Sequence, residues 1–592
     1  MKTIKHTIIL LLLMVSTMGV AQQRSDSLAP MSTVALAQDM THSFLYLAQH
    51  GTLSVDKYSI DKNTIVDSWN FVDPPTGITI DQNHLYVTTS YAKGMLYRID
   101  IKNPSLRDSL LLPMGACSPT LNRQGDKLVV CNRYANTVSL ISLKDWKIRK
   151  SVPVEREPNN VTFSKDEKLL FVTNFLPYQR ADIDTVAADV TVIKSASMKV
   201  VKHIKLANGS NALRDMTLSA DGRYVMVSHN LGRFQVPTSQ LQQGWMNTSA
   251  LSLIQVDKLQ HVGTVLLDDP NLGAAGTWGV ACNDDLLVIT HSGTHDMSVI
   301  SYPDFIKKFE QTKDKESLTY DLRFMYTIRK RVPLKGNGPR ELLLDDHTVY
   351  VPTYFSDIMN VYDTSTETLQ SQDLNPNYTP SIVHHGEQLF NDATYCLEGW
   401  QSCNGCHPGE ARTDGMNWDL LNDGVGNPKN CKSMLYSHRT APAMITGIRP
   451  DAETAVRAGF RHIQFAKVSE KEAQAVDAYL KSLTPLPSPY LQDGKLSKKA
   501  EQGAKIFKQL NCQYCHSGPL FTDGKTHRIG EVEFEQGWDT PTLKEVWRTG
   551  PYLFDGRAKT IKEVFEIHHH GIQEGQLKKK ELEALVEYIQ SL

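Results

Sequence analysis

The chain runs to 592 residues, beyond the span of one ordinary domain, and 41% of them are hydrophobic, enough for two or three buried cores. Lys and Arg (63) nearly balance Asp and Glu (65), so the formal net charge is -2 and nothing points to nucleic acid or an anionic membrane surface. Nine cysteines in a chain of this length do not make a small disulfide scaffold, so their placement carries the information.

At the N-terminus Lys2 and Lys5 precede an apolar run from Ile8 through Val15, and Gly19-Val20-Ala21 offers small residues for cleavage before Gln22. Residues 1–21 read as a secretory signal peptide; the apolar run is short for a membrane span. The mature protein is expected to be periplasmic or secreted, with no membrane span and no cysteine at its new end to carry a lipid. Residues 22–42 are set apart as an N-terminal segment.

From 43 to 375 the chain repeats loosely at intervals of forty or more residues. The clearest copies contain Leu85-Tyr86-Val87-Thr88-Thr89, Leu128-Val129-Val130-Cys131-Asn132, Leu170-Phe171-Val172-Thr173-Asn174, Tyr224-Val225-Met226-Val227-Ser228, Leu287-Val288-Ile289-Thr290-His291 and Val349-Tyr350-Val351-Pro352-Thr353. Each is an apolar strand ending in a small polar residue or a histidine. Turn residues precede most of them, as in Ser164-Lys165-Asp166-Glu167-Lys168 and Ser219-Ala220-Asp221-Gly222-Arg223. Six such units and a partial one starting at Phe44 predict an all-β seven-bladed β-propeller, with the ring closed by strands from both ends. This stretch resembles the YVTN-type propellers of bacterial secreted proteins, with Phe171-Val172-Thr173-Asn174 the nearest copy of that signature. Insertions near 177–189 and 232–249 fall between strands, either shaping one face or simply varying in length. Cys117 and Cys131 flank the turn signal Arg123-Gln124-Gly125-Asp126, so they form a disulfide or stay as two core thiols. His291 and His295 lie at a blade edge, where structural roles are the commoner outcome.

Beyond Pro376 the apolar period becomes helical. Cys403-Asn404-Gly405-Cys406-His407 and Cys512-Gln513-Tyr514-Cys515-His516 are two copies of C-x-x-C-H, the attachment pattern of c-type haem. The spacing follows from chemistry: each sulfur adds to one vinyl group, and the histidine must reach the iron from the same turn. A zinc site would want a second pair at characteristic spacing, and a thioredoxin-like site a βαβ frame; neither pattern surrounds these motifs. Two covalently bound haem c groups are expected, with Cys403, Cys406, Cys512 and Cys515 as attachment points and His407 and His516 as proximal iron ligands. Gly386-Glu387-Gln388-Leu389-Phe390 and Gly503-Ala504-Lys505-Ile506-Phe507 each precede a motif, the glycine allowing close helix packing. Helices over 470–483 and around Leu582, Leu585, Val586 and Ile589 would close the two lobes. An all-α di-haem cytochrome c region therefore divides into a lobe over 376–485 and a lobe over 486–592, joined by the stiff Thr484-Pro485-Leu486-Pro487-Ser488-Pro489 link.

Residues 386–592 resemble the bacterial di-haem cytochrome c peroxidase and MauG family, most closely through Asp539-Thr540-Pro541-Thr542-Leu543, Arg548-Thr549-Gly550-Pro551-Tyr552-Leu553-Phe554-Asp555-Gly556-Arg557-Ala558 and Ile561-Lys562-Glu563-Val564. The resemblance implies that the sixth ligand of the second haem falls at His568. His570 is the competitor within the His568-His569-His570 run, and a surface cluster is the third reading. For the first haem it implies a distal histidine before a Ser/Thr-Pro segment, which His438 matches, with Met434, Met444 and His462 as alternatives. The first lobe departs from the family where Val456-Arg457-Ala458-Gly459-Phe460-Arg461 stands, leaving the proton-transfer machinery open between Glu453 and His462. The implied activity is that of a haem oxidoreductase, with a redox partner protein or a small oxidant such as peroxide. The alternative is a non-enzymatic electron-transfer cytochrome whose propeller docks a partner.

Overall fold

The computed structural model describes residues 29–90, 93–236, 246–420, 428–529 and 537–592. The signal peptide assigned to residues 1–21 lies outside them. Residues 33–373 form seven four-stranded antiparallel sheets arranged as a β-propeller. The six strands singled out in the sequence are the second strands of blades 2 to 7. They are buried along nearly their whole length because a neighbouring blade covers each face. The fourth strands, such as Thr64–Asn70 and Lys147–Pro153, lie on the rim and keep most side chains in water.

The first blade begins at Thr33, inside the segment set apart as 22–42; the half-buried Thr33–Gln38 strand lacks the alternation that marks a strand in sequence. Each blade is built from consecutive strands, so the expected closure by strands from both ends does not occur. Side chains close the ring instead. The Asp357 carboxylate accepts the Met31 and Ser32 N–H groups at 2.9 and 3.0 Å, and Met31, Leu45, Leu47 and Tyr58 pack on Tyr350, Met359 and Leu374. Cys117 and Cys131 stand opposite each other on paired strands as free thiols.

The helical region holds two lobes of similar build. Ser381 caps the helix Ile382–Asn391, Ser469 makes a capping box at Glu470–Ser482, and Ser497 and Thr560 cap Lys498–Gln509 and Ile561–Glu566. The glycines of the leading helices are where backbones touch. A Cβ on Gly386 would lie 1.8 Å from Ala475 O, and one on Gly503 1.9 Å from Ala584 O. Gly503→Ala is therefore expected to force the second-lobe helices apart and lower stability by about 1–3 kcal/mol, as overpacking does. Chemical denaturation followed by helical circular dichroism measures the loss, and an unchanged midpoint would refute the contact.

Described residues of both insertion stretches touch the helical region. Ala181 N–H donates to Gly556 O at 2.9 Å, and Asn247, near the end of the other stretch, donates to Cys406 Sγ of the first haem motif at 3.2 Å. His295 of blade 6 meets Asp392 of the first lobe at 3.2 Å, whereas His291 bonds Thr277 and Ser298 within its own blade. The lobes thus cover one face of the propeller instead of hanging from a free linker.

Candidate haem sites

Both C-x-x-C-H motifs open onto one continuous cavity of about 1120 Å³. That exceeds the ~300–1,000 Å³ of an ordinary small-ligand pocket. Its walls are mainly apolar side chains, among them Leu420, Ile445, Leu510, Val564 and Phe565.

At the first motif His407 Nδ1 donates to Arg412 O at 3.0 Å; at the second, His516 Nδ1 donates to Phe521 O at 3.1 Å. Each bond fixes one tautomer and leaves Nε2 for a metal. Burial lowers both imidazole pKa values and so keeps them neutral, the form that binds iron. Burial also pushes the Cys403 thiol up to about 12 and Cys512 up to about 11. Protonated thiols beside an apolar slot suit thioether attachment better than a thiolate metal site. Cavity size, wall chemistry and paired thiol-imidazole sets all fit haem c.

The second site brings two imidazoles together at a tilt. His516 and His570 have ring centroids 6.3 Å apart at an interplanar angle of 55°. A metal between them with bonds of about 2 Å to each nitrogen, plus a ring radius of about 1 Å on each side, spans about 6 Å. His569 has a left-handed backbone (φ 46°) just past the helix Ile561–Glu566, and His570 N–H bonds Val564 O at 3.1 Å. This turn delivers His570 to His516. His568 and His569 also line the cavity, but the ring contact with His516 is made by His570.

The first site is different. His438 does not line the cavity: its Nε2 bonds Asp477 at 2.9 Å, and its Nδ1 lies 3.2 Å from Ser437 Oγ. The sequence-level assignment of His438 as an iron ligand is not matched by this geometry. The reason is visible in the internal repeat. The turns Ser437–Arg439 and Val546–Arg548 are counterparts, each led by a left-handed residue (Tyr436, Glu545) and followed by a cis proline, so His438 matches Trp547. At the same spacing that separates His407 from His516, the counterpart of His570 is Arg461, which is exposed. Glu453 pairs with Lys481 at 2.8 Å on the surface and His462 is exposed, so neither reaches the cavity. Met434 and Met444 do line it, together with Ala452 and Ala455. Among the described residues, His407 is the one first-lobe imidazole in the cavity wall.

Other residues of the site gave no signal in the sequence. Cys431 Sγ donates to Cys406 O at 3.1 Å and stands 3.5 Å from His407 Nδ1. Asn247 Nδ2 reaches Cys406 Sγ at 3.2 Å from blade 5. Where the lobes meet, Trp538 stacks on Phe554 at 4.1 Å, and Lys432 bonds Asp539 at 2.7 Å. Beneath them runs a buried chain of charge. Arg412 bonds Glu545 at 2.7 Å, Glu545 bonds Arg548 at 3.0 Å, Arg548 reaches Glu157 of the propeller at 3.4 Å, and Glu157 bonds Arg133 at 2.9 Å. Only the constant spacing between lobes hinted at Arg412, which stands after His407 as Phe521 stands after His516.

Residues 500–592 match the cytochrome c family. The chain is 26% identical over 278 residues to hydrazine synthase subunit gamma of Kuenenia stuttgartiensis, covering 36% of this chain and 78% of that protein. It is 23% identical over 270 residues to methylamine utilization protein MauG of Methylophilus methylotrophus, covering 35% of this chain and 81% of that protein. A solved chain of Kuenenia stuttgartiensis hydrazine synthase shares its fold at a TM-score of 0.51 and 20% identity, covering 60% of this chain and 99% of that chain. The chain is thus a seven-bladed propeller followed by a cytochrome c region with homologues that include MauG and hydrazine synthase subunit gamma, and these likenesses support a haem-based redox function.

Proposed function

We propose that this chain is an exported oxidoreductase with two covalent haem c groups of unequal role. At the second, His516 and His570 would hold a haem suited to electron exchange with a redox partner protein. At the first, His407 would hold a haem that faces Met434, Met444, Ala452 and Ala455, and these side chains would leave room for a small oxidant such as peroxide. The observation that carries this reading is the asymmetry: a tilted imidazole pair at one motif, and at the other a single imidazole opposite small and thioether side chains.

Haem bound at these sites supplies one-electron chemistry; the chain supplies position, access and protons. Arg412 O holds the His407 ring through Nδ1, and Asn247 donates to the Cys406 sulfur, so both fix the first attachment turn. Ser437 lines the cavity, and its hydroxyl begins a hydrogen-bonded chain through His438 to Asp477, which Arg457 holds at 2.6 Å. In this reading His438 serves as a proton relay to the cavity instead of an iron ligand.

A pyridine haemochrome assay is expected to give two haems per chain, and one after Cys512→Ala with Cys515→Ala; one or none in the parent chain would defeat the reading. Adding peroxide to the oxidised protein should change a high-spin haem spectrum, and two inert low-spin haems would leave the electron-carrier alternative. The likeness to hydrazine synthase subunit gamma favours a second reading, in which the first haem takes a small nitrogen compound. Titration with hydrazine separates the two, since only this reading expects a saturable spectral shift that competes with peroxide.

A further inference from the structure

Blades 3, 4 and 5 are each crossed by a row of hydrogen-bonded polar side chains from their second, third and fourth strands. In blade 3 Asn132 donates to Ser139 Oγ at 2.8 Å, and Ser139 meets Ser151 at 2.8 Å. In blade 5 His229 meets Ser252 at 2.7 Å, and Ser252 meets Thr264 at 2.7 Å. The fourth-strand member is a hydroxyl in both. Blade 4 departs from this: Asn174 donates to Thr191 Oγ1 at 2.8 Å, and Thr191 meets Nδ1 of an imidazole, His203, at 3.1 Å.

Two carboxylates stand at that imidazole. Glu155, in the link from blade 3 to blade 4, has Oε1 3.7 Å from His203 Nδ1, and Asp189, which opens the strand Asp189–Lys194, has Oδ1 at 3.9 Å. The three ligating atoms all lie within 4.8 Å of one another, and no other three His, Cys, Asp or Glu groups converge in this way among the described residues. Asp189 is 7% exposed, yet neither carboxylate forms a salt bridge with lysine or arginine among the described residues. Lys205, opposite Asp189 on the next strand, is exposed. Burial, with Glu155 beside it, raises the Asp189 pKa to about 6, as expected of a carboxylate short of positive charge.

We propose that Glu155, Asp189 and His203 bind one divalent first-row transition-metal ion, zinc being the first candidate, with water completing its shell. Tetrahedral zinc with bonds of about 2.0–2.2 Å sets its ligand atoms about 3.3–3.6 Å apart, so a small side-chain movement closes this set on the ion. A mixed imidazole and carboxylate set suits such an ion better than calcium, which takes oxygen ligands. Asn174 Nδ2 also donates to Asp189 Oδ1 at 2.6 Å and orients it from behind. The metal ties the link between blades 3 and 4 to the root of the insertion at 177–189. That insertion meets the second lobe through Ala181, bonded to Gly556 O at 2.9 Å, and Tyr178, whose ring lies 4.1 Å from Lys559 Nζ. Metal binding therefore firms the joint between propeller and second lobe.

The test treats the full-length holoprotein with EDTA, soaks its crystals in zinc chloride, and measures diffraction just above and just below the zinc absorption edge, so that haem iron cancels. A zinc peak among the three side chains is expected in the parent protein. It should be absent from Glu155→Gln and from His203→Thr, which restores the hydroxyl seen in blades 3 and 5. In calorimetric titration each variant should lose at least about tenfold in zinc affinity. Zinc should also slow proteolysis within 177–188 severalfold in the parent alone. No zinc peak at these residues, or equal affinity in parent and variants, would overturn the site, and a peak without protection would overturn the clamp.

Discussion

His570→Ala is expected to convert one haem of the oxidised protein from low spin to high spin and to raise its reduction potential. An imidazole stabilises ferric iron more than a vacant position does, and in the proposed reading His570 would serve the haem at His516. His570→Met should restore a low-spin spectrum at a higher potential than the parent, because a thioether favours ferric iron less. His568→Ala should leave the spectrum as it is, since that side chain lines the cavity without facing His516. Absorption, electron paramagnetic resonance and a potentiometric titration read all three variants. A spin change from His568→Ala with none from His570→Ala would move the ligand to His568 and rule out the turn at His569 as the element that delivers it.

Arg548→Ala is expected to destabilise the protein by about 3–5 kcal/mol, the range found when one partner of a buried ion pair is removed. Arg548 is 2% exposed and links Glu545, at 0%, to Glu157, at 4%, so its loss leaves two buried carboxylates short of a cation. The effect should be more than local. The same chain ties the second lobe to Arg412, whose carbonyl holds His407, and to the propeller through Arg133 and through Arg156, which donates to Arg548 O. Limited proteolysis should cut the variant near the joint between propeller and lobes, while the parent resists.

The same network gives acid sensitivity. Glu157 is buried, which alone would raise its pKa, but Arg548, Arg133 and Arg156 bring it down from 4.5 to about 2. A carboxyl depressed in the folded state stabilises fully above its unfolded value and loses that contribution as pH falls through its folded value. The contribution is about 3 kcal/mol in order of magnitude, present above pH 4.5 and drained toward pH 2. Glu157→Gln should lower stability at neutral pH and flatten this acid limb in denaturation curves; an unchanged limb would place the titration elsewhere.

Sequence determined those features of this protein that are local in the chain. A haem-attachment turn must carry its two cysteines and histidine within five residues, so both motifs were visible at once. The buried second strand of each blade is a short apolar run beside a turn, which one-dimensional pattern also records. The helix glycines announced themselves because each sits one turn before a Leu-Phe or Ile-Phe pair, and both prove to touch a facing backbone.

Tertiary structure decided what depends on groups far apart in the chain or on one dihedral angle. Which histidine of the 568–570 run faces His516 turns on the backbone at His569, and sequence spacing cannot resolve one residue past a helix end. His438 looked like a ligand because an imidazole before a Thr-Ala-Pro segment suits that role; packing against Asp477, thirty-nine positions on, turned its ring away. The Arg412–Glu545–Arg548–Glu157 chain draws on three parts of the molecule that become neighbours only when the lobes settle on the propeller. Charge compensation and ring orientation act through space over a few ångströms, whereas motif and periodicity act along the chain, so the first had to await the fold and the second did not.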